Sequence, residues 1–316
     1  MSSPPLAAIT GGTGFVGLHL VPALLRAGFR LRLLVRQPTT HPALKGLSFE
    51  TVLGDLRNKA ALSQLVKGAD LVVHAAGLIK AHKRTEFLAT NQGGTEALAQ
   101  TTRLVAPDAR FLLISSLAAR EPSLSDYAFS KKAAEDAARQ AYETAPGQLA
   151  IIRPPAIYGP WDRETLPMFK ASLGAILPIL SQGRAALLHA EDAANAIASL
   201  AGKAFRPGCF ALADERPDGY TLREISIEAA RATGGKPYMF NLPAALLLAA
   251  GAISGLWGKT QSQAPIFTLG KAREILHDDW SVPEPELLPR GIYAPGRNLP
   301  DGFTQTVTWY RQAGWL

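Results

Sequence analysis

Thr10-Gly11-Gly12-Thr13-Gly14-Phe15-Val16-Gly17 is the stretch on which the reading of the fold turns. The run before it, Leu6 to Thr10, reads as a short buried strand, and Val16 to Ala27 reads as a helix closed by Gly28. Strand, glycine turn and helix in that order make a cradle for a dinucleotide. Gly11 permits the tight bend, Gly14 lets backbone approach a pyrophosphate, and Gly17 lets the helix pack on its strand. The helix N-terminus adds backbone N–H donors for the phosphates. Gly11, Thr13, Gly14, Phe15, Val16 and Gly17 are therefore candidate cofactor contacts.

A second strand, Phe29 to Val35, ends at Arg36. A carboxylate is expected there when the free ribose hydroxyl of NAD is read, whereas a guanidinium suits a forked, charge-assisted pairing with a 2′-phosphate. The expectation is NADP ahead of NAD. The alternative is a solvated arginine, the reading given to Arg30 and Arg32.

Apolar runs and helical stretches then alternate: Phe49 to Leu53, Lys59 to Lys67, Leu71 to Ala75, Phe87 to Val105, Arg110 to Ser115. This is an α/β pattern, a Rossmann-type doubly wound parallel sheet with a smaller, interleaved C-terminal lobe. Ligands of such sheets sit at the carboxyl ends of the strands, which here carry Gly11, Arg36, Gly54-Asp55-Leu56, His74-Ala75-Ala76-Gly77 and Ser115-Ser116. After a strand over Gln148 to Arg153, the prolines of Pro154-Pro155-Ala156-Ile157-Tyr158-Gly159-Pro160 exclude helix and a regular central strand, so a second lobe begins there. Glu191 to Lys203 (helix) and Cys209 to Ala213 (strand) return to the first sheet. The expected division is a cofactor-binding domain over 1–160 completed by about 186–214, and a substrate lobe over 161–185 and 215–316. Leu222 to Thr233, Pro243 to Gly258, Thr268 to His277 and Phe303 to Trp315 are read as helical, and this tail is expected to build most of a substrate lid; Val282 to Pro300 receives no assigned fold.

Composition narrows the class. With 316 residues, 47% hydrophobic and 19% charged, the chain can bury a large core and is not disordered. Its one cysteine, Cys209, excludes an intrachain disulfide and a cysteine-cluster metal site, and is read as strand packing in a reducing, cytoplasmic setting. A net charge of +7 suits anionic ligands, but the basic residues are scattered, which argues against nucleic acid. No secretory leader is evident, placing the mature start near Met1. Leu242 to Trp257, with Leu246-Leu247-Leu248 at its centre, is shorter than the ~20 apolar residues that span a bilayer. It is read as a buried or dimer-interface helix, with shallow docking on a membrane surface, ended by Trp257 and Lys259, as the minority reading.

In Tyr127-Ala128-Phe129-Ser130-Lys131, the tyrosine and lysine stand four apart, about 6 Å along a helix axis and on one face. A nearby ammonium favours phenolate, so Lys131 is expected to pull the Tyr127 pKa down and make it an acid or base. Ser116, or less favourably Ser115, can donate a hydrogen bond to a substrate oxygen. His74 is read as a packed, hydrogen-bonded histidine and Asp192, in His189-Ala190-Glu191-Asp192, as a structural anchor or cap. Arg163, Lys170 and Arg184 can hold an anionic group, solvated charge being the default. His277-Asp278-Asp279 lacks a supporting ligand set, so no metal is implied.

Jointly these residues resemble the extended short-chain dehydrogenase/reductases, including the NAD(P)-dependent epimerase/dehydratase group. The resemblance runs through the glycine motif, Asp55-Leu56, Ala75-Ala76-Gly77, Asn91 with Gly94-Thr95, Ser115-Ser116, Tyr127 with Lys131, and Arg153-Pro154 with Tyr158-Gly159-Pro160. It implies a catalytic set of Ser116, Tyr127 and Lys131, and cofactor contacts from Asp55 and Leu56 at the adenine, Ala75, Ala76 and Gly77 beside phosphate and ribose, and Pro154 to Ile157 against the nicotinamide. Asn91 would support the site from its helix. Helices Phe87 to Val105 and Tyr127 to Ala145 would be available for a homodimer. Only ten residues separate Ser116 from Tyr127, a short interval for the family. The implied activity is hydride transfer between NADP(H) and a carbonyl or secondary alcohol of a small-molecule substrate. The alternatives are a nucleotide-sugar epimerase with tightly bound NAD and a non-catalytic NADP-binding structural or redox-sensing subunit. Dehydratase chemistry is disfavoured, because Ser116-Leu117-Ala118 lacks the acidic pair beside a threonine that those members carry.

Overall fold

The computed structural model describes residues 3–39, 41–258, 265 and 267–316; Met1 and Lys259 lie outside them. β1 (Leu6–Thr10), α1 (Phe15–Arg26), β2 (Arg30–Val35), β3 (Glu50–Leu53), α2 (Lys59–Val66) and β4 (Leu71–His74) come first. A helical segment follows, α3 (Arg84–Phe87) running through a π-turn at Leu88–Gln92 into α4 (Gly93–Val105), then β5 (Arg110–Ile114), α5 (Asp126–Ala141) and β6 (Leu149–Arg153). The second half holds β7 (Ala156–Tyr158), α6 (Leu166–Ser172), β8 (Ile176–Ile179), β9 (Arg184–Ala185), β10 (Leu187–His189), α7 (Ala190–Ala201), β11 (Gly208–Ala211), β12 (Tyr220–Thr221), α8 (Leu222–Thr233), β13 (Tyr238–Asn241), α9 (Ala244–Gly258), α10 (Leu269–Leu276), β14 (Asp279–Trp280) and α11 (Leu299–Gln312).

Seven parallel strands form the central sheet in the order β11-β6-β5-β4-β1-β2-β3. The order reverses beside β1, as a doubly wound sheet requires, and this leaves a crevice between the carboxyl ends of β1 and β4. β1 and β4 are buried along their whole length, matching apolar sequences that end in the buried Thr10 and His74. One apolar layer joins α1 and α7 to one sheet face through Leu20, Leu24, Ile197 and Leu200; the other joins α2, α4 and α5 through Leu62, Leu98 and Ala138. Each fully buried leucine or isoleucine contributes about 1.5–3 kcal/mol. Cys209 packs against the second layer as expected.

The return of α7 and β11 to the sheet agrees with the sequence reading. Three readings are corrected. The tail does not act as one lid: α11 begins at Leu299, with Asn298 accepting from the Asp301 amide and Pro300 in its first turn, and it packs inward. Phe303 and Tyr310 meet Tyr158 and Phe169 in a separate aromatic core, edged by Trp161, Trp309 and Trp315. Among the described residues of the tail, α9 and α10 line the cleft together with Leu222 at the start of α8, His277 and Trp280 of β14. Second, α9 is not buried: Leu247 and Gly251 are, but Leu246, Ile253, Leu256 and Trp257 are 58–69% exposed. Third, the helix expected from Phe87 starts at Arg84 and contains the π-turn, which brings Asn91 inward to the loop after β4.

Candidate active site

The glycine turn closes as its sequence demands. Gly11 has φ +74°, and a Cβ there would lie 2.5 Å from the Ala75 backbone. A Cβ on Gly17 would lie 2.1 Å from the Gly11 carbonyl oxygen, so this glycine packs the helix onto the turn itself. A Cβ on Gly14 would meet nothing nearer than 3.4 Å, leaving its open side available to a ligand. Gly14 is also the N-cap of α1 and offers no side chain to its first amides, and the first turn holds no acidic residue. An uncapped, acid-free helix start fits the phosphates of a nicotinamide dinucleotide.

A buried polar chain runs from this turn to α5. The Ala76 amide donates to Thr10 Oγ1 at 3.3 Å, and that oxygen lies 2.6 Å from His74 Nδ1. His74 Nε2 is 2.9 Å from Thr95 Oγ1, whose hydroxyl donates to the Asn91 carbonyl at 2.6 Å. Each hydroxyl has one proton. Thr95 spends its own on Asn91 and so accepts from His74, which places the imidazole proton on Nε2 and leaves Nδ1 to accept from Thr10. Burial, with Lys131 nearby, holds the imidazole neutral, its pKa lowered to about 3. His74 is thus the packed histidine expected. Asn91 Nδ2 donates to Ser130 Oγ at 2.8 Å and to the Leu78 carbonyl at 3.0 Å, and Ser130 donates to the Tyr127 carbonyl.

Tyr127, Lys131 and Glu135 repeat every four residues along one face of α5. Ser125 caps this helix, its Oγ accepting from the Ala128 amide at 2.9 Å. Ser116 hydrogen-bonds the Tyr127 side chain, whereas Ser115 turns the other way and donates to Glu135 Oε1 at 2.6 Å. The two serines follow β5 on opposite sides, as neighbours in an extended segment do.

The pKa expectation for Tyr127 is reversed. Burial pushes it up to about 12, against a lowering by the Ser116 hydrogen bond and with a further rise from the Glu274 charge. The Lys131 amine donates instead to the Ile114 carbonyl at 2.8 Å, and burial lowers its own pKa to about 8, opposed by the charge of Glu135. Desolvation outweighs the Ser116 hydrogen bond here, and Tyr127 holds its proton at neutral pH. Glu135 is fully buried between Arg153, at 2.7 and 2.8 Å, and Arg139, at 3.2 Å. It was missed in the sequence, although its place four residues after Lys131 was a legible signal.

Ser116, Tyr127 and Lys131 face a cleft of about 1040 Å³. Phe15, Val16, Ala75, Gly77, Ser116, Tyr127, Lys131, Pro154 and Ile157 line it, with Gly251, Ala252, Gly255 and Leu256 of α9 and residues of α10 opposite. Gly11, Thr13, Gly14, Gly17, Arg36, Asp55, Leu56 and Ala76 are not among its lining residues; they continue from it along the carboxyl edge of the sheet and the start of α1. Arg36 is exposed just beyond β2. Asp55 accepts from the Arg57 amide and guanidinium at 2.9 and 3.0 Å, while Leu56 packs against Gly94. Asp192 is an anchor, accepting from Tyr293 Oη at 2.7 Å and Arg297 at 3.2 Å. Arg163 lies over the Trp315 ring, the Arg184 guanidinium donates to the carbonyls of Asp218 and Gly219, and Lys170 is exposed. His277 packs on Trp280, and no cluster of metal-ligating side chains occurs among the described residues.

Residues 7–209 match the model of the NAD dependent epimerase/dehydratase family. The chain belongs to that family. It is similar to the ceramide reductase of Caulobacter vibrioides, 48% identical over 98% of this chain and 96% of the relative. Sterol demethylase protein B of Methylococcus capsulatus is 31% identical over 49% of this chain and 52% of its own length. The crystal structure of gox2253 superposes with a TM-score of 0.78 at 21% identity, covering 99% of both chains, a likeness of fold alone. The protein is accordingly an NAD(P)-dependent oxidoreductase of the extended short-chain family, an enzyme acting on a small molecule.

Proposed function

We propose that this enzyme is an NADP-preferring reductase that converts a ketone on a long-chain, ceramide-like lipid to a secondary alcohol. The observation that carries the reading is the cleft, in which Ser116, Tyr127 and Lys131 concentrate polar chemistry at one end while α9 contributes glycine, alanine and leucine to the opposite wall. A largely apolar cavity with a few convergent polar groups suits a lipid better than a sugar nucleotide. The name and whole-length similarity of the Caulobacter relative support the same substrate class.

When bound, a nicotinamide would supply a hydride to the carbonyl carbon. The chain supplies the rest. Tyr127, protonated at neutral pH, donates its proton to the carbonyl oxygen, and Ser116 donates a hydrogen bond to that oxygen as charge develops. Lys131, held by its hydrogen bond to the Ile114 carbonyl, contributes positive charge to the site below about pH 8. Gly11, Thr13, Gly14, Phe15, Val16 and Gly17 hold the pyrophosphate, Asp55 and Leu56 the adenine, Ala75, Ala76 and Gly77 the phosphate and ribose, and Pro154 and Ile157 the nicotinamide. Arg36 would pair with the 2′-phosphate. Residues 1–160 with 186–214 form the cofactor domain, and 161–185 with 215–316 the substrate lobe.

The test is NADPH oxidation with a detergent-dispersed 3-ketoceramide, together with mass spectrometry of nucleotide released on denaturation. Ketone-dependent NADPH consumption is the expected result. Tightly retained NAD and no turnover of the ketone would point instead to an epimerase recycling its cofactor.

A further inference from the structure

We infer that the outer face of α9 docks the enzyme flat on an anionic lipid surface, with the mouth of the cleft turned toward the bilayer. The docking stands on the geometry; its purpose, delivery of substrate from the membrane, rests on the lipid-ketone reading above.

Leu246, Ala250, Ile253 and Trp257 recur at i, i+4, i+7 and i+11, a single stripe along α9, and all four are exposed. An α-helix that is apolar on all sides is ordinarily buried. Here the inner face is covered: a Cβ on Gly251 would lie 2.9 Å from the Thr268 carbonyl oxygen and 3.1 Å from Ala272 Cβ, so α9 and α10 meet in close contact. The helix has 15 residues, about 22 Å at 1.5 Å per residue, against the ~30 Å of a bilayer core. No described helix is long and apolar enough to cross a membrane. An apolar stripe of this length can lie in the interface instead.

Two further observations choose the occupant. The stripe is continuous with the active-site cleft, because Leu256 is exposed at 64% and also lines the cavity, as does Ile79, 57% exposed, on the loop after β4. The rim also carries a slight excess of basic groups, with the exposed Glu86 beside Lys83 accepting from the His82 amide. Lys80 pairs with Glu164, Arg84 with Asp126 and Lys271 with Glu274, while Lys83 and Arg273 are exposed and have no carboxylate partner among the described residues. A second copy laid over this face would oppose like charges and cover the cleft, whereas an anionic leaflet complements them and offers the cleft its substrate.

Co-sedimentation of the full chain with phosphatidylcholine vesicles, with and without phosphatidylglycerol, tests the proposal. The wild type should pellet with the anionic vesicles. Leu246→Glu combined with Ile253→Glu should reduce that binding roughly tenfold or more, and leave turnover of detergent-dispersed ketone unchanged, since neither residue lines the cleft. Lys83→Glu, which touches no apolar packing, should weaken binding to anionic vesicles by about fivefold or more and keeps the test valid if the double variant fails to fold. Absence of wild-type binding to either vesicle at low salt overturns the proposal. So does a wild-type dimer, seen by light scattering, that the Leu246→Glu change dissociates, because a second copy then covers the stripe. Ketone turnover without vesicle binding sinks the docking alone; vesicle binding without ketone turnover sinks the reductase reading alone.

Discussion

The wall of the cleft formed by β5 and α5 is tied down by buried hydrogen bonds, whereas the facing wall formed by α9 and α10 is held mainly by close apolar packing. On the first wall Glu135 with Arg153, and Asn91 with Ser130, are paired below the cleft surface, Ser115 joins Glu135 from the cleft lining, and Ser116, Tyr127 and Lys131 stand on that base. On the second, Gly251 presses α9 against α10, and Gly270 brings α10 to the cap of α5, where a Cβ would lie 2.8 Å from Ser125 Cβ. The polar links are few: Glu274 binds Ser125 and Lys271, and the Trp280 indole donates to the Glu274 carbonyl at 2.8 Å. The contrast suits a division of labour. Proton transfer needs atoms held to fractions of an ångström, while an apolar chain needs a surface that can yield.

The sharpest way to break this division is at Tyr127. Tyr127→Phe removes the proposed proton donor and keeps the ring packed beside Phe87, so turnover should fall about 10²–10⁴-fold while NADPH affinity stays within about a factor of two. Steady-state kinetics with a fluorescence titration checks both, and preserved turnover would remove the first wall from the chemistry.

The next effect concerns the base of that wall. Glu135→Ala strands Arg153 and should cost about 3–5 kcal/mol, read by denaturant unfolding. The pH dependence has a definite sign. Burial pushes the Glu135 pKa up, but hydrogen bonds from Arg153 and Ser115 and the arginine charges outweigh it and hold the group below its ordinary 4.5. Its contribution to stability is therefore present above about pH 4.5 and is lost as pH falls through the lower folded value. That acid-side loss should be smaller in Glu135→Gln.

Arg36 probes how far the sheet edge reads the cofactor. Arg36→Ala should weaken NADPH roughly 10–100-fold and leave NADH within about twofold, by titration. Equal loss for both would detach Arg36 from the 2′-phosphate. The smallest effect belongs to the second wall: Leu256→Ala should raise KM for a long-chain ketone about fivefold with kcat nearly unchanged. A fall in kcat alone would mean that α9 positions the reacting carbonyl, and the contrast between the walls would fail.

Local chemistry made the cofactor half legible. Gly11 with its positive φ, the apolar runs of β1, β2 and β4, and the four-residue spacing of Tyr127 and Lys131 are constraints that act within a few residues, so the sequence carries them openly. The same holds for α8, whose Thr221–Glu224 capping box and Gly234 close mark both of its ends. Tertiary structure decided the rest. Which serine faces Tyr127 depends on where Glu135 stands across α5, and Tyr127 keeps its proton because burial exceeds the influence of the Ser116 hydrogen bond, while Lys131 turns toward Ile114. Likewise α9 and α11 have apolar residues enough to be buried, yet only α11 finds aromatic partners on Tyr158 and Phe169, and α9 is left at the cleft mouth with its stripe exposed. Periodicity tells a helix which face is apolar; only the packing of distant segments determines whether that face is covered.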